Sequence, residues 1–183
     1  MTDTDVERLR LIGRLFEERF GGRAALVARA PGRVDLMGSH TDYNLGYVLT
    51  LAISRDTWIS ARPRDDRNVC VYTANLDSQN CFSLDRIERS ADGAWSNYVR
   101  GVAWALEKEG LALRGFDGVI QSTVPVGSGL SSSAALECAT AEVFQALGGW
   151  QLDATRMARL CLRAECDFVG LNCGILDQFT SCA

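Results

Sequence analysis

A glycine- and serine-rich segment, residues 125–136 with the sequence PVGSGLSSSAAL, constrains this chain more than any other stretch. Gly127 and Gly129 allow the backbone to turn tightly and to point successive N–H groups into one concavity. The serines lie where the alanine-rich residues that follow predict the start of a helix. Free amides and the positive end of the helix dipole favour a phosphate there. The segment therefore predicts an anion-binding loop in front of a helix.

Other interpretations of this segment fit less well. The rule for a Lys-containing phosphate loop fails, because no Lys follows the glycines. No Lys or Arg lies between Arg114 and Arg156, so backbone dipoles, a metal ion and groups from elsewhere must neutralise a bound triphosphate. A serine hydrolase built on Ser131 or Ser132 is disfavoured, since no nucleophile elbow is present and the chain has one histidine. A flexible linker is the remaining alternative, but a linker would not run directly into a helix.

Charge and hydropathy exclude several classes of partner. The 183 residues carry a formal net charge of −4 without a basic stripe, which argues against nucleic acid. No run of 18 apolar residues occurs and the first residues are acidic, so neither a membrane span nor a signal peptide is expected. These features predict a cytoplasmic protein, and they set no oligomeric state.

The seven cysteines follow no metal or disulfide pattern. None of them form C-x-x-C, and the last four are irregularly spaced. A zinc site or a disulfide framework is therefore not expected, and the pattern predicts buried, reduced thiols.

Hydrophobic periodicity predicts one domain in which helices and strands alternate. We expect helices over residues 6–20, 95–108, 132–147 and 153–168. Strands are expected over 24–30, where Pro31-Gly32 ends the first, then over 47–53, 57–62, 69–72 and 116–124. Residues 177–183 resemble the opening of a further element, which suggests a truncated chain.

A second polar cluster surrounds the single histidine, His40. Residues 29–46 place short polar and acidic side chains in a glycine-punctuated turn. Such side chains suit a polyhydroxylated ligand, because each hydroxyl needs a donor and an acceptor. A solvated turn is the alternative.

Two carboxylates near the end of the chain are further candidates. Glu165 lies at the edge of an apolar stripe, from which it could reach a metal ion shared with Ser133, since Mg²⁺ takes carboxylate, hydroxyl and phosphate oxygens. The alternative for Glu165 is an exposed helical residue. Asp177 has the alternative role of a helix N-cap.

Three stretches carry a family resemblance. Residues 32–44, GRVDLMGSHTDYN, resemble the galactokinase signature, and residues 125–136 resemble the phosphate loop of the GHMP kinase superfamily. Residues 164–165 and 172–179 are similar to the segment that carries the galactokinase catalytic aspartate, and 95–102 match a further stretch. The resemblance implies an α+β fold, the GHMP kinase N-terminal domain of the ribosomal protein S5 domain 2-like type, over residues 1–183. It also implies that the C-terminal GHMP domain is absent from this chain.

The resemblance implies phosphoryl transfer from ATP to the anomeric hydroxyl of an aldose, most simply galactose. Asp177 would face that hydroxyl, and Arg33 would stabilise the charge that develops on the phosphoryl group. Ser133 and Glu165 would hold Mg²⁺, and Trp95 would lie by the adenine. The remaining implied contacts are Ser39, His40, Asp42 and Gly174 with the sugar, and Gly127, Ser128, Gly129, Leu130, Ser131 and Ser132 with ATP.

The chain departs from the galactokinase pattern at three positions. Ser39 stands where the family usually has a Glu that contacts the sugar C6 hydroxyl, Asp35 replaces an Asn, and Thr50 replaces a Pro. Without that Glu, an arabinose- or galacturonate-like substrate is an alternative to galactose. An inactive fragment, or a catalytically inactive sensor of sugar and ATP, is the alternative to an enzyme.

Overall fold

The computed structural model describes residues 2–92 and 94–183. Five strands form one mixed sheet in the order β1-β2-β5-β3-β4. All neighbouring pairs are antiparallel except β3 and β5, which run parallel. The strands are β1 (Leu26–Met37), β2 (Leu49–Pro63), β3 (Asn68–Thr73), β4 (Ser78–Ser83) and β5 (Phe116–Ser122).

Helices cover both faces of this sheet. The helices are α1 (Asp3–Phe20), α2 (Ser96–Lys108), α3 (Ser132–Gly148), α4 (Ala154–Arg163) and α5 (Leu176–Cys182). The main core joins α2, α3 and α4 to the strands and includes Phe116 and Phe144, whose rings meet edge to face at 5.2 Å. On the other face Phe16 of α1 packs against Tyr72 and Val119. Burial on both faces follows from the alternation of side chains along β3 and β5.

The structure corrects the predicted strand boundaries. Pro31-Gly32 does not end β1, which continues to Met37 with register shifts at Pro31/Arg33 and Asp35/Met37. Proline is tolerated because β1 is an edge strand and the shift absorbs the missing donor. The two strands expected over 47–62 form one strand, β2. The charged residue Asp56 does not end it, because its buried carboxylate is paired with Arg8 and Arg29. β4 was not predicted, since its sequence SQNCFS carries no hydrophobic alternation.

Two further expectations are corrected. The helix expected over 153–168 is interrupted, because α4 ends at Arg163 and a π-helical turn, Ala164–Val169, follows it. Asp153 does cap α4, as its side chain accepts a hydrogen bond from the Arg156 amide at 2.9 Å. The expectation that all cysteines are reduced is wrong for Cys70 and Cys81, which form a disulfide between directly opposed residues of β3 and β4. Strand register, which sequence spacing does not show, brings them together.

The glycine before β5 gives a direct test of this packing. A Cβ atom at Gly115 would overlap the backbone oxygens of Asp66 and Asn68, whereas one at Gly13 of α1 would meet nothing within 4 Å. We expect Gly115→Ala to lower the free energy of unfolding by about 1–3 kcal/mol. Gly13→Ala should raise it by roughly 0.5–1 kcal/mol, because alanine favours the helix. Urea unfolding of both variants measures this, and equal effects would contradict the strand arrangement.

Candidate active site

The glycine-rich loop leads directly into α3. Gly127, Gly129 and Ser131 have positive φ angles of 72°, 74° and 57°, and α3 begins at Ser132. Within the described parts of the chain, the backbone amides of Gly127, Ser128 and Gly129 have no protein acceptor. Free amides in a tight turn before a helix provide the donors that an anion needs. The loop therefore offers free donors in front of α3, and anion binding by it stays a prediction.

Strand β1 lies against this loop at a glycine. A Cβ at Gly32 would come within 2.8 Å of the carbonyl oxygen of Leu130, so only glycine allows this approach. The next amide, that of Arg33, donates to the same oxygen at 3.2 Å. The contact holds the Arg33 side chain beside the loop, and its Nη1 donates to the carbonyl of Gly129 at 2.7 Å.

Arg33 and Asp177 form an ion pair in front of the loop. Arg33 Nε donates to Asp177 Oδ1 at 2.7 Å, and its Nη2 lies 2.5 Å from the same oxygen. The hydroxyl of Ser131 donates to the other oxygen, Oδ2, at 2.5 Å. Three residues from β1, the loop and the first turn of α5 therefore meet, although 144 positions separate Arg33 from Asp177. Asp177 is not the N-cap of α5, because that position is Ile175.

This ion pair lines a cleft of about 580 Å³. One wall is the loop and the other is the polar turn after β1, so the two clusters found in the sequence face each other. Eight of the expected site residues border the cleft: Arg33, Ser39, Asp42, Ser128, Gly129, Leu130, Gly174 and Asp177.

Asp42 ties the polar turn to the start of α5. Its Oδ2 accepts a hydrogen bond from the Leu176 amide at 3.0 Å. A Cβ at Gly174 would overlap the Asp42 carboxylate, so this approach requires glycine. The expected sugar contacts Asp42 and Gly174 therefore touch each other and hold Asp177 at the cleft.

Two positions that depart from the family pattern, Asp35 in β1 and Ser39 in the turn after it, contact each other. The hydroxyl of Ser39 donates to Oδ2 of Asp35, while Oδ1 accepts from the Met37 amide at 3.0 Å. Both Asp35 and Ser39 border the cleft. The cleft wall therefore presents a carboxylate from position 35, in the absence of one at position 39.

His40 is not among the residues that border the cleft. Its ring is exposed, and Nδ1 lies 2.8 Å from the hydroxyl of Tyr43, which does border the cleft. His40 is thus linked to the cleft through Tyr43.

A second, more apolar cavity lies on the other side of the loop. It has a volume of about 230 Å³ and is bordered by Trp95, Tyr98, Ser132 and Ser133. The indole Nε1 of Trp95 donates to the Ser78 hydroxyl at 3.4 Å. The start of α3 thus separates an apolar cavity from a polar cleft.

Glu165 is buried, so the alternative of an exposed helical residue is wrong. Only 5% of it is exposed. Its Oε2 accepts hydrogen bonds from the side-chain amide of Gln178 at 2.5 Å and from the Cys173 thiol at 3.5 Å. The Gln178 amide also donates to Glu137 Oε2 at 3.1 Å. One neutral side chain therefore bridges two buried carboxyl groups, directly after Asp177 in sequence.

Burial raises the pKa of Glu137 well above its ordinary value, and the nearby charge of Glu165 adds to this. Burial, followed by the charges of Glu165 and Glu137, also raises the pKa of Tyr98. Tyr98 is thus near Glu165 and also borders the cavity that contains Ser133. Roles for Glu137, Gln178 and Tyr98 at the site were not expected from the sequence. Glu137 lies one helical turn after Ser133, and this i,i+4 spacing was the available signal.

The donor chemistry of Ser133 and Glu165 suits Mg²⁺, whose binding by these two residues stays a prediction. Ser133 offers a hydroxyl and Glu165 a carboxylate, which with phosphate oxygens are the ligands that Mg²⁺ prefers. Among the described residues, none donates a hydrogen bond to Oε1 of Glu165, which leaves this oxygen available to a metal ion.

No described helix is long and apolar enough to cross a membrane.

Comparison with known proteins identifies the class. Residues 14–63 match the galactokinase galactose-binding signature, and residues 97–183 match the N-terminal domain of GHMP kinases. The chain is 50% identical over 163 residues to the galactokinases of Chloroflexus aggregans and of a Roseiflexus species. These alignments cover 89% of this chain and 42% and 41% of the two relatives, so the chain spans less than half of their length.

Solved structures support the same assignment. The crystal structure of Lactococcus lactis galactokinase complexed with galactose superposes with a TM-score of 0.87 at 37% identity, over 94% of this chain and 46% of that one. A mevalonate kinase, at 21% identity and a TM-score of 0.71, shares the fold. The domain has the GHMP kinase N-terminal fold, and the expected α+β class is confirmed. The chain belongs to the galactokinase family, whose N-terminal portion it matches.

The buried Glu137 predicts a pH dependence of stability. Its folded pKa is raised, so above the ordinary value of 4.5 the folded state keeps a proton that the unfolded state loses. The free energy of unfolding therefore falls as pH rises, by up to about 1.4 kcal/mol per pH unit for this group. Glu137→Gln removes this titration, so the free energy of unfolding of the variant relative to the wild type should rise as the pH increases above 4.5.

Urea unfolding at several pH values measures this difference. The matched control is Glu18→Gln, an exposed residue of α1, which should follow the wild type at every pH. If the difference in the free energy of unfolding between Glu137→Gln and the wild type does not change with pH, a raised Glu137 pKa is contradicted.

Proposed function

We propose that the protein transfers the γ-phosphoryl group of ATP to the anomeric hydroxyl of a neutral aldose, with galactose as the first candidate. The observation that carries the proposal is the contact of Arg33 with both Asp177 and the loop carbonyl of Gly129 at the cleft. A guanidinium and a carboxylate at the mouth of an anion-binding loop are suited to align a phosphoryl group with a hydroxyl.

The loop and the two spaces beside it suit ATP. The free amides of the loop face the phosphates, and the cavity that contains Trp95 takes the adenine. Ser133 and Glu165 would hold Mg²⁺, which supplies positive charge to the phosphate oxygens when bound. This charge is needed because the loop itself contains no Lys or Arg.

Asp177 orients the sugar hydroxyl in this proposal. Phosphoryl transfer has a loose transition state that needs little activation of the nucleophile, so alignment and charge neutralisation dominate. Arg33 and Ser131 hold the carboxylate from two sides, which sets its orientation before the substrate binds. Asp177 accepts the hydroxyl proton late, as the phosphoryl group is transferred. Arg33 stabilises the negative charge on the transferring oxygens.

The cleft wall that contains Asp35, Ser39 and Asp42, called the sugar wall below, favours a neutral substrate over a uronic acid. Asp35 and Asp42 both border the cleft, and each carboxylate can accept a sugar hydroxyl. A sugar carboxylate would meet like charge at Asp35, even though Ser39 itself is neutral. The Lactococcus lactis relative was crystallised with galactose, which supports galactose as the first sugar to test.

A panel of aldoses with ATP tests the proposal. The natural gene product that contains these 183 residues is incubated with galactose, arabinose and galacturonate, and ³¹P NMR detects a sugar 1-phosphate. Product with galactose supports the proposal. Binding of sugar and ATP with no product from any sugar would favour the sensor.

Asp177→Asn separates alignment from nucleotide binding. The variant side chain keeps the shape of aspartate but loses its negative charge, so we expect kcat with galactose to fall by roughly 10²–10⁴-fold. The dissociation constant of ATP, measured by calorimetry, should change little, because the loop amides are intact. The matched control is Asp167→Asn, an exposed residue of the π-helical turn. Loss of ATP binding with normal turnover of the bound complex would contradict the assigned role.

Asp35→Asn tests the source of sugar selectivity. Removing the carboxylate weakens a charged hydrogen bond to galactose, which is worth about 1.5–3 kcal/mol, and removes repulsion of a uronate. We expect the ratio of kcat/KM for galacturonate to that for galactose to rise roughly ten- to a hundredfold. Asp65→Asn, at an exposed residue between β2 and β3, is the control. An unchanged ratio would show that Asp35 does not discriminate between these sugars.

A further inference from the structure

Three cysteine sulfurs converge behind α5, away from the residues that border the cleft. Cys138 lies on α3, Cys161 on α4 and Cys182 on α5. Their Sγ atoms all lie within 4.8 Å of one another, and those of Cys138 and Cys182 are 3.0 Å apart. Irregular spacing in sequence had argued against a zinc site. Helix packing nevertheless brings the three thiols to one point.

The cluster is buried but can be reached. Cys138 and Cys161 are each 1% exposed, while Cys182 is only partly buried. Cys138 and Cys182 border a cavity of about 320 Å³, together with Glu142 and Arg29. An ion can enter through this cavity, and Glu142 lies one helical turn after Cys138 on the same face of α3.

Hydrogen bonds from the Cys138 and Cys161 thiols lower the pKa of Cys182 to about 5, because they stabilise its thiolate. Hydrogen bonding within the cluster and burial instead raise the pKa of Cys138 and of Cys161 well above its ordinary value, so an ion must displace the protons of these two thiols. Thiolates are the form of cysteine that binds metal ions, and binding displaces the remaining protons.

We propose that Cys138, Cys161 and Cys182 form a binding site for one thiophilic divalent ion of the Zn²⁺ class. A tetrahedral zinc ion with Zn–S bonds of about 2.3 Å holds its sulfurs about 3.7 Å apart. Small side-chain rotations reach this separation, because no pair exceeds 4.8 Å. Glu142 or a water molecule in the cavity supplies the fourth ligand. The site differs from the proposed Mg²⁺ site, since Mg²⁺ prefers oxygen.

A bound ion would link three helices. α5 has seven residues and carries both Asp177 and Cys182, so the metal would anchor the helix that presents Asp177 to the cleft. A disulfide between Cys138 and Cys182 is the competing interpretation of the 3.0 Å contact. It uses two sulfurs and does not explain the convergence of Cys161 from α4.

Zinc titration of the reduced chain tests the site. The protein is prepared without a polyhistidine tag, stripped with chelator, kept in a phosphine reductant and titrated with Zn²⁺ against a chromophoric chelator. Co²⁺ in place of Zn²⁺ reports thiolate ligation through sulfur-to-cobalt charge-transfer bands. Cys182→Ser is the test variant, because Cys182 is the least buried of the three. Cys166→Ser is the matched control, since its sulfur lies 3.7 Å from that of Cys173, outside the cluster.

We expect one Zn²⁺ per chain, the cobalt–thiolate bands, and a thermal midpoint that rises with Zn²⁺. Cys182→Ser should lose at least about tenfold in Zn²⁺ affinity together with the midpoint shift, while Cys166→Ser keeps both. Equal Zn²⁺ affinity of Cys182→Ser and wild type, absence of the bands, or a Cys138–Cys182 disulfide in anaerobically purified protein would each overturn the proposal. The readouts use neither sugar nor nucleotide, so they are independent of the proposed kinase activity.

Discussion

The Asp177 carboxylate, held between the Arg33 guanidinium and the Ser131 hydroxyl, is the interaction on which the candidate site depends. Each partner comes from a different part of the fold: the edge strand, the glycine-rich loop and the short final helix. The carboxylate is therefore oriented only when all three are packed. Charged hydrogen bonds from two sides restrict its rotation, and restricted rotation is what the alignment of a nucleophile requires.

Close backbone approaches make this arrangement possible. Gly32 lets β1 reach the loop, and Gly174 lets the polar turn reach the segment before α5. Ser131 adopts a left-handed conformation that favours glycine, yet its hydroxyl is needed for Asp177. This conformation is tolerated because the start of α3 and the Asp177 contact hold it, and such strain is common at functional sites. Behind the site, the side-chain amide of Gln178 donates to both Glu137 and Glu165, and burial raises the pKa of Glu137, which lowers the cost of placing two carboxyl groups together.

The sugar wall shows how a substitution is understood only with its neighbour. Taken singly, Ser39 in place of the usual Glu leaves the wall without one carboxylate, and a change of substrate to a uronic acid is a reasonable expectation. In the structure Ser39 donates to Asp35, so the wall still presents negative charge, displaced along β1. The cysteines give a second example. No local motif links Cys138, Cys161 and Cys182, yet three helices place their sulfurs together.

Local chemistry in the sequence was sufficient for the elements that act locally. The positive φ angles at Gly127 and Gly129, the helix start at Ser132 and the cap at Asp153 all follow from side chains within a few residues. The resemblance in three short stretches was sufficient for the family. The continuity of β1 and β2, the Cys70–Cys81 pairing, the burial of Glu165 and the Gln178 bridge were not predictable in this way. Each depends on which strands and helices lie side by side, and strand register and helix packing decide which residues meet there.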